Sequence, residues 1–327
     1  MSKPKLFSTH VLFEEPRRKL AEHFDVEYWT GEDRPSRGEF LKRVSGKDAL
    51  VCLLTEKIDR ETLDAAGRNL RIVANVAVGF DNIDVPACTE RSVAVTNTPG
   101  VLDETTADFA WTLLMAVARR LVEADRFARS GAWKKWNLDQ LCGTDVWGKT
   151  LGIVGLGRIG RAVARRALGF RMRVIYSSNT RATLEIEKEL NAEYVSRTEV
   201  FELADFVSLH VPLNVATRGL VGPQELARMK RTAFLINTTR GPVVREAALI
   251  DALERGVIAG AALDVFEQEP IIPDGLRRDN VVLAPHLGSA SVETRTKMSL
   301  IAVENAVAFF AGKRPPTILN PEVLRQN

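Results

Sequence analysis

Apolar and polar positions along this chain alternate between two periods. The first stretch, to about residue 100, carries the β-rich runs KLFST, VEYW, ALVCLL, RIVANVA and VAVTN. Between them stand EEPRRKLAEHF, SRGEFLKRVS, DRETLDAAG and VPACTERS, whose apolar residues fall at helical spacing. In DRETLDAAG, Asp59 reads as an N-cap and Gly67 as a C-terminal stop. This alternation predicts a parallel sheet covered by helices. After NTPG a long helical stretch follows, LDETTADFAWTLLMAVARRLVEADRFARSG, with acids in its first turn, arginines later and Gly131 at its end. At roughly 1.5 Å per residue it is long enough to run from one domain into another. The Trp-rich connector AWKKWNLDQLCGTDVWGK then leads into a second alternating series. Its strands are TLGIVG, RVIYS, FVSLHV, AFLINT, AGAALDVF and VVLAPH, and an amphipathic helix, SVETRTKMSLIAVENAVAFFAG, ends at Gly312.

Two α/β units are the economical architecture, because 327 residues exceed one ordinary core. An apolar share of 45% and a charged share of 27% are ordinary for a globular protein. No run approaches the ~20 apolar residues that span a bilayer, and the N-terminus shows no cleavable signal, so a cytoplasmic protein without a membrane partner is expected. Three widely spaced cysteines and four histidines without metal-ligand spacing argue against a disulfide scaffold and a metal site. A net charge of +3 is too small for a nucleic-acid binder, and the arginines of RAVARRALGFRMR read as a solvated helix face.

Gly155-Leu-Gly157-Arg-Ile-Gly160 matches G-x-G-x-x-G, with an apolar strand before it and an Ala-rich helix after it. Gly155 would permit the tight turn, Gly157 the approach of a pyrophosphate, and Gly160 close helix–strand packing. The amides of Arg158 and Ile159 would face the phosphates at the positive helix end. An NAD site usually places an acid about 20 residues on, for the ribose hydroxyls. Here the chain reads VIYSSNTRATLE, with no acid before Glu185. Ser178, Asn179, Thr180 and Arg181 offer neutral donors and one cation, which favours NADP. NAD remains possible if Arg181 is simply exposed.

Behind the fingerprint, INTTRG, LDVFEQEP and LAPHLGS carry Arg240, Glu269 and His286 in that order. With VCLLTEKID, VAVGFDNIDV, NTPGVLDETTADFAWTLL and HVPLNVAT, they make the chain resemble the D-isomer-specific 2-hydroxyacid dehydrogenases, nearest to the glyoxylate/hydroxypyruvate reductase branch. The likeness runs from about Lys5 to Pro321. It implies two flavodoxin/Rossmann-like parallel-sheet domains, the nucleotide-binding one inserted into a split substrate domain. The substrate-binding domain would comprise residues 1–100 and 289–327, and the dinucleotide-binding domain residues 101–288. The fingerprint then starts late because its domain is an insertion, and the active site is expected at a domain interface.

Reduction of a 2-oxo acid needs a hydride at the carbonyl carbon and a proton for the developing alkoxide. An imidazole can donate that proton near neutral pH, so His286 is the candidate acid. Glu269 on its other nitrogen would fix the tautomer and stabilise imidazolium. The Arg240 fork can grip the substrate carboxylate and polarise the carbonyl, a plane that lysine lacks. The resemblance adds the amides of Val78 and Gly79 as carboxylate donors. It also implies Thr106, Val211, Pro212, Thr217, Thr238, Thr239, Asp264 and Gly288 as cofactor contacts. Asp264 would accept from the nicotinamide amide, and Val211 and Pro212 would pack on adenine.

Taken singly, each residue has a plainer reading: a hydrogen-bonded core histidine, a solvated acid, a surface arginine. Their convergence in order is what favours catalysis. Trp136 is expected at a homodimer interface, whereas Trp133 could equally fill local core. The expected function is NAD(P)H-dependent reduction of glyoxylate or hydroxypyruvate to glycolate or D-glycerate. Reduction of 2-ketogluconate or hydroxyphenylpyruvate is the nearest alternative, and a dinucleotide-sensing corepressor is a further one that the short tails disfavour.

Overall fold

The computed structural model describes residues 2–325. The chain opens with β1 (Lys5–Ser8), α1 (Glu14–His23), β2 (Asp25–Tyr28), α2 (Arg37–Val44), β3 (Ala49–Cys52), α3 (Arg60–Ala66), β4 (Ile72–Asn75), α4 (Val85–Glu90) and β5 (Ala94–Thr96). Then come α5 (Asp103–Ala118), α6 (Leu121–Arg129), β6 (Thr150–Val154), α7 (Arg158–Ala167), β7 (Arg173–Ser177), α8 (Leu184–Leu190) and β8 (Ala192–Tyr194). The series continues through α9 (Arg197–Leu203), β9 (Phe206–Leu209), α10 (Pro223–Arg228), β10 (Phe234–Asn237), α11 (Glu246–Glu254), β11 (Gly260–Leu263) and β12 (Val281–Leu283), and α12 (Val292–Phe310) closes it. Two compact units result: residues up to Leu102 together with those from Ser291 on, and Asp103–Ala290.

The first unit holds a five-stranded parallel sheet in the order β2-β1-β3-β4-β5, a flavodoxin-like sequence of strands. β3 and β4 are buried along their whole length, which is why ALVC and IVAN read as continuous apolar runs. One face buries Phe7, Phe40, Leu50, Ile58, Val73 and Val95. Helix α12 returns to pack on α1 and β4. Asn320 seals the C-terminal segment to β5 by accepting from the Val95 amide at 2.8 Å.

In the second unit the sheet is seven-stranded and parallel, β12-β11-β10-β9-β6-β7-β8. Side chains along β7 alternate between its two cores: Val174 and Tyr176 join Trp111, Ile153 and Val163, while Ile175 joins Phe201, Val207 and Leu235. Trp111 locks α5 to α7 through Nε1 to the Val163 carbonyl at 3.0 Å and stacks on Phe170 at 4.7 Å.

The long helix expected over residues 102–131 is broken. Arg120 takes a left-handed conformation (φ 51°) between α5 and α6. Its guanidinium reaches Glu123 and the Cys142 carbonyl, and the Ala118 carbonyl accepts from Thr144. The connector thus ends α5, and both halves lie within the second unit rather than running between units. Strand β8, only three residues long, escaped the periodicity altogether.

Asp59 caps α3 as expected, accepting from the Thr62 amide at 3.1 Å and pairing with Arg37 and Lys57. Burial pushes its carboxyl up, but the Thr62 amide, Arg37 and Lys57 outweigh this and hold it at about 2, below the ordinary 3.8. A depressed folded value means the stabilisation is complete above the unfolded value and is lost as pH falls towards about 2. Asp59→Ala should therefore cost ~1–2 kcal/mol in urea unfolding near neutral pH. Its deficit against the parent should narrow as the acid limb is entered; an equal deficit at acidic pH would refute the charge contribution.

Candidate functional site

Apart from Thr106 on α5 and the connector residues Trp133 and Trp136, the singled-out residues of the second unit follow the carboxyl ends of parallel strands, where open α/β sheets bind ligands. Gly155–Gly160 follow β6, Ser178–Arg181 follow β7, and Val211, Pro212 and Thr217 follow β9. Thr238–Arg240 follow β10, Asp264 and Glu269 follow β11, and His286 and Gly288 follow β12.

Wholly buried at the end of β11, Asp264 accepts from the amides of Leu287 at 2.6 Å and Gly288 at 2.7 Å. Its carbonyl accepts from the His286 amide at 2.9 Å. Burial pushes this carboxyl up to about 6, against the two amides and the His286 charge. These bonds hold His286 at φ 56°, a left-handed conformation rare outside glycine. Its ring Nδ1 lies 2.8 Å from Glu269 Oε2, and Glu269 Oε1 accepts from the Phe266 amide at 3.1 Å. Burial alone would raise Glu269. The His286 hydrogen bond and charge, the Phe266 amide and the Arg240 charge bring it below its ordinary value. It is therefore a carboxylate at neutral pH, able to accept Nδ1–H and to leave Nε2 as the ring's other protonatable position.

Arg240 is half-buried and donates from Nη1 to the Thr239 carbonyl at 2.9 Å. Its loop is bracketed by a residue the periodicity did not reveal. Buried Asn237 donates to the Arg240 carbonyl at 3.0 Å and accepts from the Thr239 amide and hydroxyl at 3.0 and 2.7 Å. The available signal was an amide closing an otherwise apolar strand, AFLIN. The first unit repeats the device: Asn97 donates to the Val78 carbonyl at 2.8 Å and Asn75 to the Gly79 carbonyl at 2.9 Å.

The fingerprint fits an anionic dinucleotide. Gly155 has φ +99°, and a Cβ there would lie 2.5 Å from the His210 carbonyl oxygen. A Cβ on Gly160 would lie 2.2 Å from the Gly155 oxygen, so both positions serve packing. Gly157, the N-cap of α7, is exposed, and a Cβ there would meet nothing within 4 Å. The backbone is open to approach at that point, and the first-turn amides of Arg158 and Ile159 lack intrahelical acceptors. The Thr238 hydroxyl is buried without a partner among the described residues, as expected of a group awaiting a ligand. Thr106 and Asp264 both lie against Gly288, within 3.4 Å of where its Cβ would be.

Other positions differ from the simplest expectation. The Thr217 hydroxyl is used within its own loop, donating to the Pro212 carbonyl and accepting from the Asn214 amide. The Arg181 fork faces Glu187 rather than open solvent. Trp136 and Trp133 are 74% and 59% exposed, so neither fills local core. Among the described residues no group of three or more His, Cys, Asp or Glu could hold a metal, and no helix is long and apolar enough to cross a membrane.

Residues 111–288 match the family described as D-isomer specific 2-hydroxyacid dehydrogenase, NAD binding domain. A glyoxylate reductase of Korarchaeum cryptofilum is 55% identical over 99% of this chain and 98% of its own. A glyoxylate reductase of Thermococcus kodakarensis is 52% identical at the same coverage. Among solved structures, an NADPH-dependent glyoxylate/hydroxypyruvate reductase of Sinorhizobium meliloti, in complex with NADP and malonate, is 34% identical, covers 98% of each chain and superposes with a TM-score of 0.85.

Steric room separates two glycines experimentally. A Cβ at Gly241 would lie 1.9 Å from the Phe266 carbonyl carbon, so Gly241→Ala should lose on the order of 3 kcal/mol in denaturant unfolding. Gly157→Ala, with open space, should stay within about 1 kcal/mol of the parent, the ordinary helix-terminus range. Equal losses at the two positions would refute this packing.

Proposed function

The chain belongs to the D-isomer-specific 2-hydroxyacid dehydrogenase family, and we propose that it reduces glyoxylate and hydroxypyruvate, with His286 as proton donor. The observation that carries this is the His286–Glu269 hydrogen bond of 2.8 Å, beside the bracketed Arg240 loop. When bound there, a reduced nicotinamide would supply the hydride. Gly157, above the turn that Gly155 and Gly160 pack, would admit the pyrophosphate to the amides of Arg158 and Ile159, and Thr106, Thr238, Thr239, Asp264 and Gly288 would line the nicotinamide end. Arg240 holds the substrate carboxylate in its fork and draws charge onto the carbonyl oxygen. The family likeness adds the Val78 and Gly79 amides as carboxylate donors, and within the first unit Asn97 and Asn75 fix the carbonyls of these two residues.

His286 gives its Nε2 proton to the oxygen that becomes the hydroxyl, while Glu269 stabilises the imidazolium before transfer and orients the ring throughout. NADPH is the preferred cofactor, supported by the absence of an acid between β7 and Glu185 and by the neutral donors of Ser178, Asn179 and Thr180. The chain acts as a homodimer that covers Trp136, whose exposure in the single chain leaves a large apolar face unpartnered.

His286→Ala should lower kcat for glyoxylate by on the order of 10²- to 10⁴-fold, the usual worth of a positioned acid. Glu269→Gln, which keeps the shape of the side chain but removes the charge that faces the ring, should also lower kcat, and a parental kcat there would refute its role. A panel of 2-oxo acids followed with NADPH and NADH tests substrate and cofactor together. Tight dinucleotide binding without turnover of any of them would instead favour a sensor. Sedimentation should report a dimer, and Trp136→Ala should shift it towards monomer; a monomeric parent would refute the interface.

A further inference from the structure

Beyond β7, one buried-to-exposed chain of contacts is not used by the chemistry above. The Tyr176 side chain is wholly buried, and its hydroxyl donates to Glu187 Oε1 at 2.7 Å while accepting from the Ala182 amide at 2.9 Å. Arg181 meets the same carboxylate with two parallel bonds, Nε to Oε1 at 2.8 Å and Nη2 to Oε2 at 2.9 Å. Its Cζ sits 5.6 Å from the centre of the Tyr194 ring, which in turn lies edge-on to Tyr176 at 5.3 Å. Glu187 is only 10% exposed, although it faces a surface loop. Its carboxyl is held at about 2 by Arg181 and Tyr176, so it is ionised across the working range.

We propose that Glu187 is a specificity-determining residue of the dinucleotide site, which weakens selection of 2′-phosphorylated cofactor by occupying the Arg181 fork. The proposal rests on the reading of the β7–α8 loop as the adenosine ribose site. A guanidinium already met by a carboxylate presents little net charge to a further anion, and the carboxylate itself repels a 2′-phosphate. The other loop donors, Ser178, Asn179 and Thr180, are neutral and serve a hydroxyl or a phosphate alike. With the pair intact, the cation that the sequence offers to NADP is largely cancelled, so both dinucleotides are accepted with a modest preference. Without the Glu187 charge, Arg181 becomes a free phosphate partner.

Calorimetric titration with AMP and with adenosine 2′,5′-bisphosphate isolates this effect from turnover. The ratio of their dissociation constants should move about tenfold in favour of the bisphosphate in Glu187→Gln, which keeps size and an acceptor for Tyr176. Arg181→Ala should change the ratio little in the parent but abolish the gain in the Glu187→Gln background. The gain should also shrink as salt is raised. An unchanged ratio in folded Glu187→Gln, or equal effects of Arg181→Ala in both backgrounds, overturns the proposal while leaving the dinucleotide site intact. Failure of the parent to bind either nucleotide overturns both readings. Should Glu187→Gln fail to fold, Glu187→Asp, which withdraws the carboxylate from the fork, should give an intermediate ratio; the parental ratio there overturns the proposal.

Discussion

The Asp264 carboxylate takes the amides of Leu287 and Gly288 while the residue's own carbonyl takes that of His286. A carboxylate wholly buried at a strand end would be costly without such donors. Three consecutive amides are immobilised in exchange, and this over-determination lets His286 sit in a backbone region that ordinarily costs about 1–3 kcal/mol. The ring then meets Glu269 in one orientation and one tautomer. The placement of the proton donor is thus an outcome of backbone hydrogen bonding, not of the imidazole's own preferences.

Buried amides extend the same logic to the other loops. Asn75, Asn97 and Asn237 lie at or just beyond strand ends, and each donates its side-chain N–H to a carbonyl of a loop that bears a proposed ligand contact. A buried carboxamide left unpaired is destabilising, so each asparagine tolerates only the loop geometry that satisfies it. Both units use this device where parallel strands end. The loops can carry polar function there because the strands beneath them are buried on both faces.

Charge in the β7–α8 loop illustrates how a partner alters the meaning of a residue. Arg181 alone in a sequence is a cation available to a phosphate; packed against Glu187 and Tyr194 it is first a brace for its own loop. Glu187 lies six positions away across an irregular segment, so no helical or strand period pairs the two. The broken helix at Arg120 has the same origin, since the Cys142 carbonyl that accepts from its guanidinium comes from the distant connector.

Periodicity alone was sufficient for the parallel sheets apart from the short edge strand β8, because strands buried on both faces must be continuously apolar and their crossover helices amphipathic. The glycine fingerprint and the order Arg240, Glu269, His286 were equally legible, since each is a local motif beside a strand. Tertiary structure alone decided that Asp264 clamps the His286 loop, that Asn237 brackets Arg240, and that Arg181 is shared with Glu187. It also exposed Trp133, which the sequence allowed as core. The division follows from range: propensity and period act over a few neighbouring residues, whereas hydrogen-bond satisfaction of buried polar groups is settled between residues that only folding brings together.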